Sequence, residues 1–255
     1  MQHRPSGVWT KKVEKYAIRP LPGPHSKELS IPLKYVIARF LRVANTAKEV
    51  DYIASSRMIA VNGKEITSIK FPVGLFDVVT ILKTNQHFRL YFNANRKFKL
   101  HKISSDEAKV RISKVVSKYT NDSIPMTHTK DGYNFKFADP SIKINDTVKI
   151  DIATNRIVGH LPFEAGKIGY VFSGPNAGRI GTIKYIDRSP DGKEIAFLQD
   201  PREKPFSVSM DKVMVIGESN SLLISMDEND GIRLNAFEIS NNKYAANQQV
   251  EVEDN

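Results

Sequence analysis

A glycine-rich loop at residues 174–181 is the strongest candidate in this chain for phosphate chemistry. It reads Gly174-Pro175-Asn176-Ala177-Gly178-Arg179-Ile180-Gly181. A nucleotide-binding P-loop has four residues between its first two glycines and continues as Gly-Lys-Ser or Gly-Lys-Thr, because the lysine and the backbone N–H groups hold the phosphates. Here three residues separate Gly174 from Gly178, and Arg179 and Ile180 follow. The spacing excludes a P-loop and favours a tight turn between two strands.

No constellation of side chains in the sequence indicates catalysis or metal binding. The adjacent acids Asp106-Glu107 and Asp227-Glu228 are more typical of a helix start and a charged tail than of an acid/base pair. A Gly-x-Ser-x-Gly nucleophile turn does not occur. The chain has no cysteine, and its six histidines are scattered without metal-ligand spacing. We therefore expect no enzymatic activity, no cofactor and no small-molecule substrate.

Positive charge is the remaining chemical signal, and it is unevenly placed. The 255 residues include 38 basic and 28 acidic ones, a formal net charge of +10. Residues 227–255 hold seven of the acids against only Arg233 and Lys243, so the excess of basic residues lies in the first 226. Such an excess favours contact with a polyanion through its phosphates, although a merely basic soluble protein is an alternative.

Residues 30–85 are predicted to form a compact unit that positions part of this charge. Ser30 is expected to cap a first helix with an apolar stripe from Leu33 to Ala44, and Lys34 and Arg42 lie off that stripe. Thr46-Ala47-Lys48-Glu49 is a capping box that opens a second helix ending near Arg57. Asn62-Gly63 predicts a hairpin, which is followed by Lys64 and by a buried strand at 77–82. Arg42, Arg57 and Lys64 are expected on one face of this unit.

The rest of the chain is predicted to be mainly β. Residues 86–165 read as strands with one short helix opening at the capping box Ser104–Glu107 and a hairpin at Lys130-Asp131-Gly132. Aromatic residues at 88–98 alternate with Arg89, Arg96, Lys97 and Lys99. This pattern favours a core with a solvated basic face, although a base-stacking platform is an alternative.

From residue 166 onwards, short, evenly spaced strands predict a small closed barrel, with Arg179 and Lys184 beside its first turn. The fold class is thus α+β and multidomain: a basic arm at 1–29, a helix pair with a small sheet at 30–85, a β-rich central domain at 86–165, an SH3-like barrel at 166–217, and a C-terminal segment at 218–255 with an acidic, disordered end.

The arm carries Lys11, Lys12, Lys15 and Arg19 around Trp9 and Tyr16. No apolar run approaches the ~20 residues needed to span a bilayer, and the N-terminus lacks the apolar stretch of a secretory signal. Cytosolic residence is therefore expected.

Two segments and their order resemble a known family. The helix pair with Val61-Asn62-Gly63-Lys64 resembles the alpha-L RNA-binding domain, and Tyr170–Ile183 resembles a KOW motif. With a β-rich domain between them, they are similar over residues 8–246 to the eukaryotic and archaeal family of small-subunit ribosomal protein number four. Other segments that agree are Gly23-Pro24-His25, Phe71–Val78, Phe88-Arg89-Leu90, Lys143–Thr147, Val215-Ile216-Gly217 and Gly231–Leu234. The short stretch before Trp9 and the acidic Glu251–Asp254 depart from the family pattern.

The resemblance implies a structural protein in cytoplasmic ribosomes whose partners are small-subunit ribosomal RNA and neighbouring ribosomal proteins. It implies that RNA contacts come from the arm, from the helix-pair unit and from the KOW barrel. The implied contact residues are Lys11, Lys12, Lys15, Arg19, Lys34, Arg42, Arg57, Asn62, Lys64, Arg179 and Lys184.

Two other classes of protein stay open at this point. A pseudouridine synthase can carry an alpha-L domain, but glycine occupies the position where its catalytic aspartate would stand, at Gly178-Arg179-Ile180-Gly181. A free transcription or translation factor with a KOW motif is the second alternative, and it would be found outside ribosomal fractions.

Overall fold

The computed structural model describes residues 18–218, 221–227, 230–241 and 244. Within these residues the fold consists of antiparallel sheets, with two short α-helices near the beginning and a helical stretch at residues 236–241. The predicted arm contacts Lys11, Lys12 and Lys15 lie outside the described residues, as do Trp9 and Tyr16. Arg19 is described and exposed.

A small two-stranded sheet precedes the first helix. Strand β1 (Ser30–Pro32) pairs with β4 (Pro72–Gly74), and helix α1 (Leu33–Tyr35) follows directly and continues as a π-helical segment, Val36–Phe40. The predicted cap at Ser30 is wrong. Its backbone belongs to β1, and its hydroxyl donates to the Ser26 carbonyl at 3.0 Å.

Helix α2 (Ala47–Ser55) begins as its sequence predicts. The Glu49 backbone N–H donates to Thr46 Oγ1 at 3.3 Å, and Glu49 Oε2 accepts from the Thr46 backbone N–H at 3.4 Å, which completes the capping box. At the other end, the Met58 N–H donates to the Ile53 carbonyl and the Arg57 N–H donates to the Ala54 carbonyl. This pair of bonds is a Schellman motif with Arg57 at its left-handed position, φ 52°.

The helices pack on a five-stranded sheet in the order β3-β2-β5-β6-β7. Its first turn is the predicted Asn62-Gly63 hairpin, with φ values of 48° and 75°. Strands β5 and β6 pair with each other, so the predicted boundary at residue 85 falls inside a sheet. The strands are β2 (Ile59–Val61), β3 (Lys64–Glu65), β5 (Val78–Ile81), β6 (Gln86–Phe92) and β7 (Phe98–Ile103).

A second five-stranded sheet has the order β10-β9-β8-β11-β12. The helix predicted from Ser104 is only a 3-10 turn, Glu107–Lys109, and the hairpin predicted at Lys130–Gly132 joins β9 to β10. The strands are β8 (Val110–Asn121), β9 (Ile124–Thr129), β10 (Asn134–Lys136), β11 (Thr147–Asp151) and β12 (Ile157–Leu161).

The turn between β8 and β9 is strained, because Asp122 and Ser123 both have positive φ, 48° and 64°. A type I′ turn of this kind favours glycine at its second position. Ser123→Gly is therefore expected to raise the free energy of unfolding by about 0.5–1 kcal/mol, measured by urea denaturation. Ser105→Gly, at an exposed position outside the positive-φ set, should instead be neutral or destabilising. A lower stability for Ser123→Gly would contradict the strain.

The third sheet has six strands in the order β16-β15-β14-β13-β17-β18. Five of them correspond to the strands predicted for 166–217, and β18 lies beyond that range. A bulge between Ile183 and Tyr185 leaves Lys184 without a cross-strand partner. The strands are β13 (Ile168–Val171), β14 (Ile180–Arg188), β15 (Glu194–Gln199), β16 (Pro205–Ser209), β17 (Val213–Glu218) and β18 (Ser221–Leu222), with a 3-10 turn Met210–Lys212 before β17.

The three large sheets share buried contacts. The Tyr170 hydroxyl accepts from the Phe92 N–H at 2.9 Å and donates to the Phe92 carbonyl at 3.0 Å, and both side chains lie in one apolar cluster with Ile112. Lys114 on β8 donates to the carbonyls of Met210 and Val213 at 2.6 and 2.7 Å. Burial lowers the pKa of the Lys114 amine to about 7. These bonds hold the sheets at fixed positions relative to one another.

The aromatic residues of β6 and β7 belong to the core, as the favoured interpretation predicted. Tyr91 and Phe92 are buried, and the Phe92 and Phe98 ring centroids lie 4.4 Å apart. The solvated basic face is wrong for Arg89, which is buried and donates to Glu107 Oε1 at 2.8 Å.

The C-terminal segment lies across this structure, and some of its acids are paired there. Asp227 pairs with Lys99 and His101, and Asp230 accepts from Lys99 at 2.8 Å. Residues 236–241 are helical, and Glu238 among them pairs with Lys204 at 3.0 Å. The disordered end predicted for the last dozen residues falls almost wholly outside the described residues.

Candidate nucleic-acid interface

Three predicted contact residues are exposed on the helix-pair unit. Arg42 follows the π-helical segment, Arg57 ends α2, and Lys64 begins β3 just after the hairpin. The elements that carry them share one buried cluster, which includes Ile37, Val50 and Ile59. The structure thus places these three cations on a single small support.

Arg42 and Arg57 occupy backbone positions that suit glycine. Their φ values are 53° and 52°, in the left-handed region where a Cβ atom is unfavourable. Glycine is the usual residue at such a helix end, and an arginine there costs about 1–2 kcal/mol. Both side chains are exposed, so their burial does not offset this backbone strain. What they provide is a guanidinium group facing solvent.

The surroundings leave the Arg57 charge accessible. Its nearest acidic partner, Glu65, lies 3.8 Å away, and the two side chains are 69% and 51% exposed. An exposed pair of this kind is screened by water and salt. Lys34 is half-buried, with its amine 5.8 Å from the centroid of the Tyr35 ring.

Asn62, one of the implied contact residues, directs its side chain into the protein. Its side-chain N–H group donates to Asp77 Oδ1 at 2.8 Å, and its side-chain oxygen, Oδ1, accepts from the Val78 backbone N–H at 2.9 Å. Both polar groups are therefore engaged inside the protein. The geometry supports Asn62 as a residue that positions the hairpin and does not support it as an RNA contact.

Asp77 is the centre of this buried network. Its carboxylate accepts from the Gly74 N–H at 2.7 Å and lies 3.0 Å from His25 Nε2. Burial opposes the charged forms of both groups, but the attraction between them outweighs burial. It lowers the pKa of Asp77 and raises the pKa of His25 relative to their ordinary values. The residue pair thereby fastens the segment before β1 to the helix-pair unit.

On the third sheet, Arg179 is an internal residue. It forms an ion pair with Asp200, and its guanidinium carbon lies 3.8 Å from the centroid of the Phe206 ring. The side chains of Arg179 and Asp200 are only 13% and 2% exposed. The predicted RNA contact at Arg179 is therefore not supported by the geometry, whereas Lys184 is exposed at the bulge.

Other cations that sequence reasoning did not select lie around the glycine-rich loop. Arg233 donates to the Pro175 carbonyl at 3.2 Å, and Lys130 has its amine 5.9 Å from the centroid of the Phe172 ring. Both come from elements distant in sequence, so no local pattern could have identified them.

Within the described residues, no three His, Cys, Asp or Glu side chains are grouped to hold a metal ion. A cavity of about 610 Å³ is lined by Arg89, Glu107, Lys149 and residues 222–226. In it Glu107 accepts from Arg89 at 2.8 Å and from the Ser225 hydroxyl at 2.6 Å. Among the described helices, none has the length and apolar character needed to cross a membrane.

Known proteins share this sequence and fold. A model of the ribosomal family S4e matches residues 84–157. The chain is 36% identical over 224 residues to the small ribosomal subunit protein eS4 of Caenorhabditis elegans, a match that covers 88% of this chain and 86% of that protein. It is 35% identical over 220 residues to eS4 of Dictyostelium discoideum, covering 86% and 82%.

A solved structure agrees with these sequence matches. The crystal structure of the 30S ribosomal protein S4e from Thermoplasma acidophilum has a TM-score of 0.65 and 25% identity, and the match covers 77% of this chain and 99% of the archaeal one.

The multi-sheet architecture, the exposed cations and these matches define a ribosomal protein, a class whose members are structural rather than enzymatic. Within that class, the chain belongs to the ribosomal protein S4e family. The resemblance seen in the sequence is therefore confirmed, and so is the prediction that the chain is not an enzyme.

Proposed function

We propose that this chain is a structural constituent of the small ribosomal subunit, resident in cytoplasmic ribosomes, that binds small-subunit ribosomal RNA beside neighbouring ribosomal proteins. The observation that carries the proposal is the pair of exposed arginines at glycine-type positions, Arg42 and Arg57. Phosphate oxygens are the natural partners of such guanidinium groups, because a planar fork of N–H donors can grip two oxygens at once.

The finer assignment also belongs to this proposal. The helix pair with the Asn62-Gly63 hairpin is the alpha-L unit, and β13–β17 with the Gly174–Gly178 loop are the KOW unit. The helices, the hairpin and the two positive-φ glycines of the loop support it. In this assignment Arg42, Arg57, Lys64, Lys184 and Arg19 contact phosphates.

Arg57→Gly provides a test, because backbone strain and RNA affinity should change in opposite directions. The variant relieves the positive φ, so its free energy of unfolding should rise by about 0.5–1 kcal/mol. It also removes a phosphate contact, so its affinity for small-subunit rRNA should fall, with a salt slope lower by about 0.7–0.9. Filter binding at several salt concentrations and urea denaturation measure the two effects.

Ser123→Gly is the matched control, since it relieves the same kind of strain in an exposed turn without removing a charge. It should bind rRNA like the parent chain. Equal binding by the Arg57 variant would refute that contact. If the parent chain shows no preference for structured rRNA and sediments apart from small subunits, the ribosomal function itself is refuted, and a free KOW-type factor fits better.

A further inference from the structure

The Gly174–Gly178 loop lies among cations that come from other parts of the chain. Arg179, which directly follows the loop, pairs with Asp200, and its side chain is only 13% exposed. The loop nevertheless lies against the turn between β6 and β7 and against Lys212, and basic residues from several elements are exposed at or near it.

Lys212 lies against the first glycine of the loop. A Cβ atom added at Gly174 would lie 3.5 Å from Lys212 Cδ and 3.9 Å from its Nζ. Lys212 ends the 3-10 turn before β17, and its carbonyl accepts from the Phe172 N–H at 3.0 Å. Its side chain is exposed, so the amine stands beside the loop and faces solvent.

Arg233 reaches the next residue of the loop from the C-terminal segment. Its guanidinium donates to the Pro175 carbonyl at 3.2 Å and is otherwise exposed. The backbone beside it is fixed as well, because the Ile180 N–H donates to the Gly231 carbonyl at 3.1 Å. One N–H group of Arg233 thus anchors the side chain, and within the described residues its other N–H groups have no hydrogen-bond partner.

Lys130, in a turn of the second sheet, lies near Phe172, which precedes the loop in the chain. It is exposed in the turn between β9 and β10, and its amine lies 5.9 Å from the centroid of Phe172, two residues before Gly174. Its backbone N–H donates to the Lys114 carbonyl at 2.8 Å, which fixes the turn.

The turn between β6 and β7 completes the surroundings of the loop. The Asn93 carbonyl is so close to Gly178 that an added Cβ would lie 1.9 Å from it. This turn carries Arg96 and Lys97, both exposed, and Arg96 has a φ of 57°. Arg96 is therefore a third exposed arginine at a position that suits glycine, next to the loop rather than on the helix pair.

We propose that Lys212 and Arg233, which contact the Gly174–Gly178 loop, and Lys130 and Arg96, which are exposed on turns near it, form a composite phosphate-binding surface for an RNA backbone. We call these four residues the loop cluster. The inference rests on the proposed function and names the residues with which the third sheet acts. A side chain from each packed element contributes, so the surface exists only when the sheets are assembled.

The acids near the loop cluster leave it net positive. Asp211 adjoins Lys212, and Asp230 adjoins Gly231 but is paired with Lys99 and Tyr91. Asp131 next to Lys130 is buried in an ion pair with Arg111. Among these acids, only Asp211 is exposed and lacks an ion pair in the described part of the chain.

The test compares two double variants of the full chain that lose the same charge. Lys212→Gln with Arg233→Gln removes half of the loop cluster, and Arg188→Gln with Lys193→Gln removes two exposed cations from the β14–β15 hairpin. The readout is the affinity for a small-subunit rRNA at several salt concentrations, with melting curves as the check of folding. The first pair should lower the salt slope by about 1.4–1.8, the second by much less.

Equal weakening by both pairs would overturn the proposal, because net charge alone would then explain binding. Parent-like binding by the loop pair would also overturn it. If the loop pair melts early, Lys130→Gln with Arg96→Gly serves in its place, since neither side chain is a hydrogen-bond donor to the described loop residues. If the parent chain itself does not bind rRNA, the proposed function fails first and is distinguished from the failure of this site.

Discussion

Gly178→Val is expected to lower the free energy of unfolding by about 2–6 kcal/mol, measured by urea denaturation, because backbone strain and overpacking each contribute. The Gly178 backbone has a φ of 87°, which a β-branched residue tolerates poorly. An added Cβ would also lie 1.9 Å from the Asn93 carbonyl oxygen and 3.1 Å from the Ala94 nitrogen. Both contacts are with backbone atoms, so no side chain can rotate away, and the loop would have to separate from the β6–β7 turn.

Gly192→Val separates the two causes. Gly192 also has a positive φ, 75°, but nothing lies within 4 Å of its added Cβ. This control should lose only the about 1–3 kcal/mol that backbone strain costs. Equal losses in the two variants would show that the close approach of Asn93 to Gly178 does not contribute.

Asp77→Ala should cost about 3–5 kcal/mol of stability, because it breaks a buried ion pair and leaves the surrounding buried hydrogen-bond donors without an acceptor. His25 would lose its partner, and the amide of Asn62 and the N–H of Gly74 would lose their acceptor. Asp191→Ala, at an exposed loop position, is the control and should change stability by less than about 0.5 kcal/mol.

The same pair predicts a pH dependence with a definite sign. The raised pKa of His25 contributes stability that is fully present below its ordinary value of 6.5 and is lost as pH rises through the higher folded value. The lowered pKa of Asp77 contributes stability that is present above its ordinary value of 3.8 and is lost as pH falls through the lower folded value. The pair therefore contributes most between pH 3.8 and 6.5.

Unfolding free energies measured from pH 5 to pH 9 should fall more steeply for the parent chain than for Asp77→Ala. Identical slopes would mean that His25 titrates alike in the folded and unfolded chains.

Features with a local cause could be predicted from the sequence. The Thr46–Glu49 capping box and the Asn62-Gly63 hairpin depend only on neighbouring residues, and both are present as expected. The positive φ of Gly174 and Gly178 follows in the same way from the need for a tight turn.

Features that depend on distant partners could not be predicted. Arg179 resembles a surface cation in the sequence, but Asp200 on the neighbouring part of the sheet pairs with it and buries it. Arg89 is buried for a similar reason, since Glu107 lies 18 positions away. Ser30 has every property of a helix cap, yet pairing with Gly74 places it in a strand. In each case a tertiary contact outweighed the local preference.

The hydroxyl of Tyr170, which bridges both backbone groups of Phe92, has a consequence for how the chain recognises its target. Because this contact joins the first and third large sheets, the distance between the helix-pair cations and the loop cluster is fixed. Once one surface is bound, the other is presented at a high effective concentration, but only to RNA segments already held at the matching distance. On the proposed function, the chain would bind tightly only after the two RNA segments have reached their final distance. In an immature particle it would bind RNA through one of the two surfaces only.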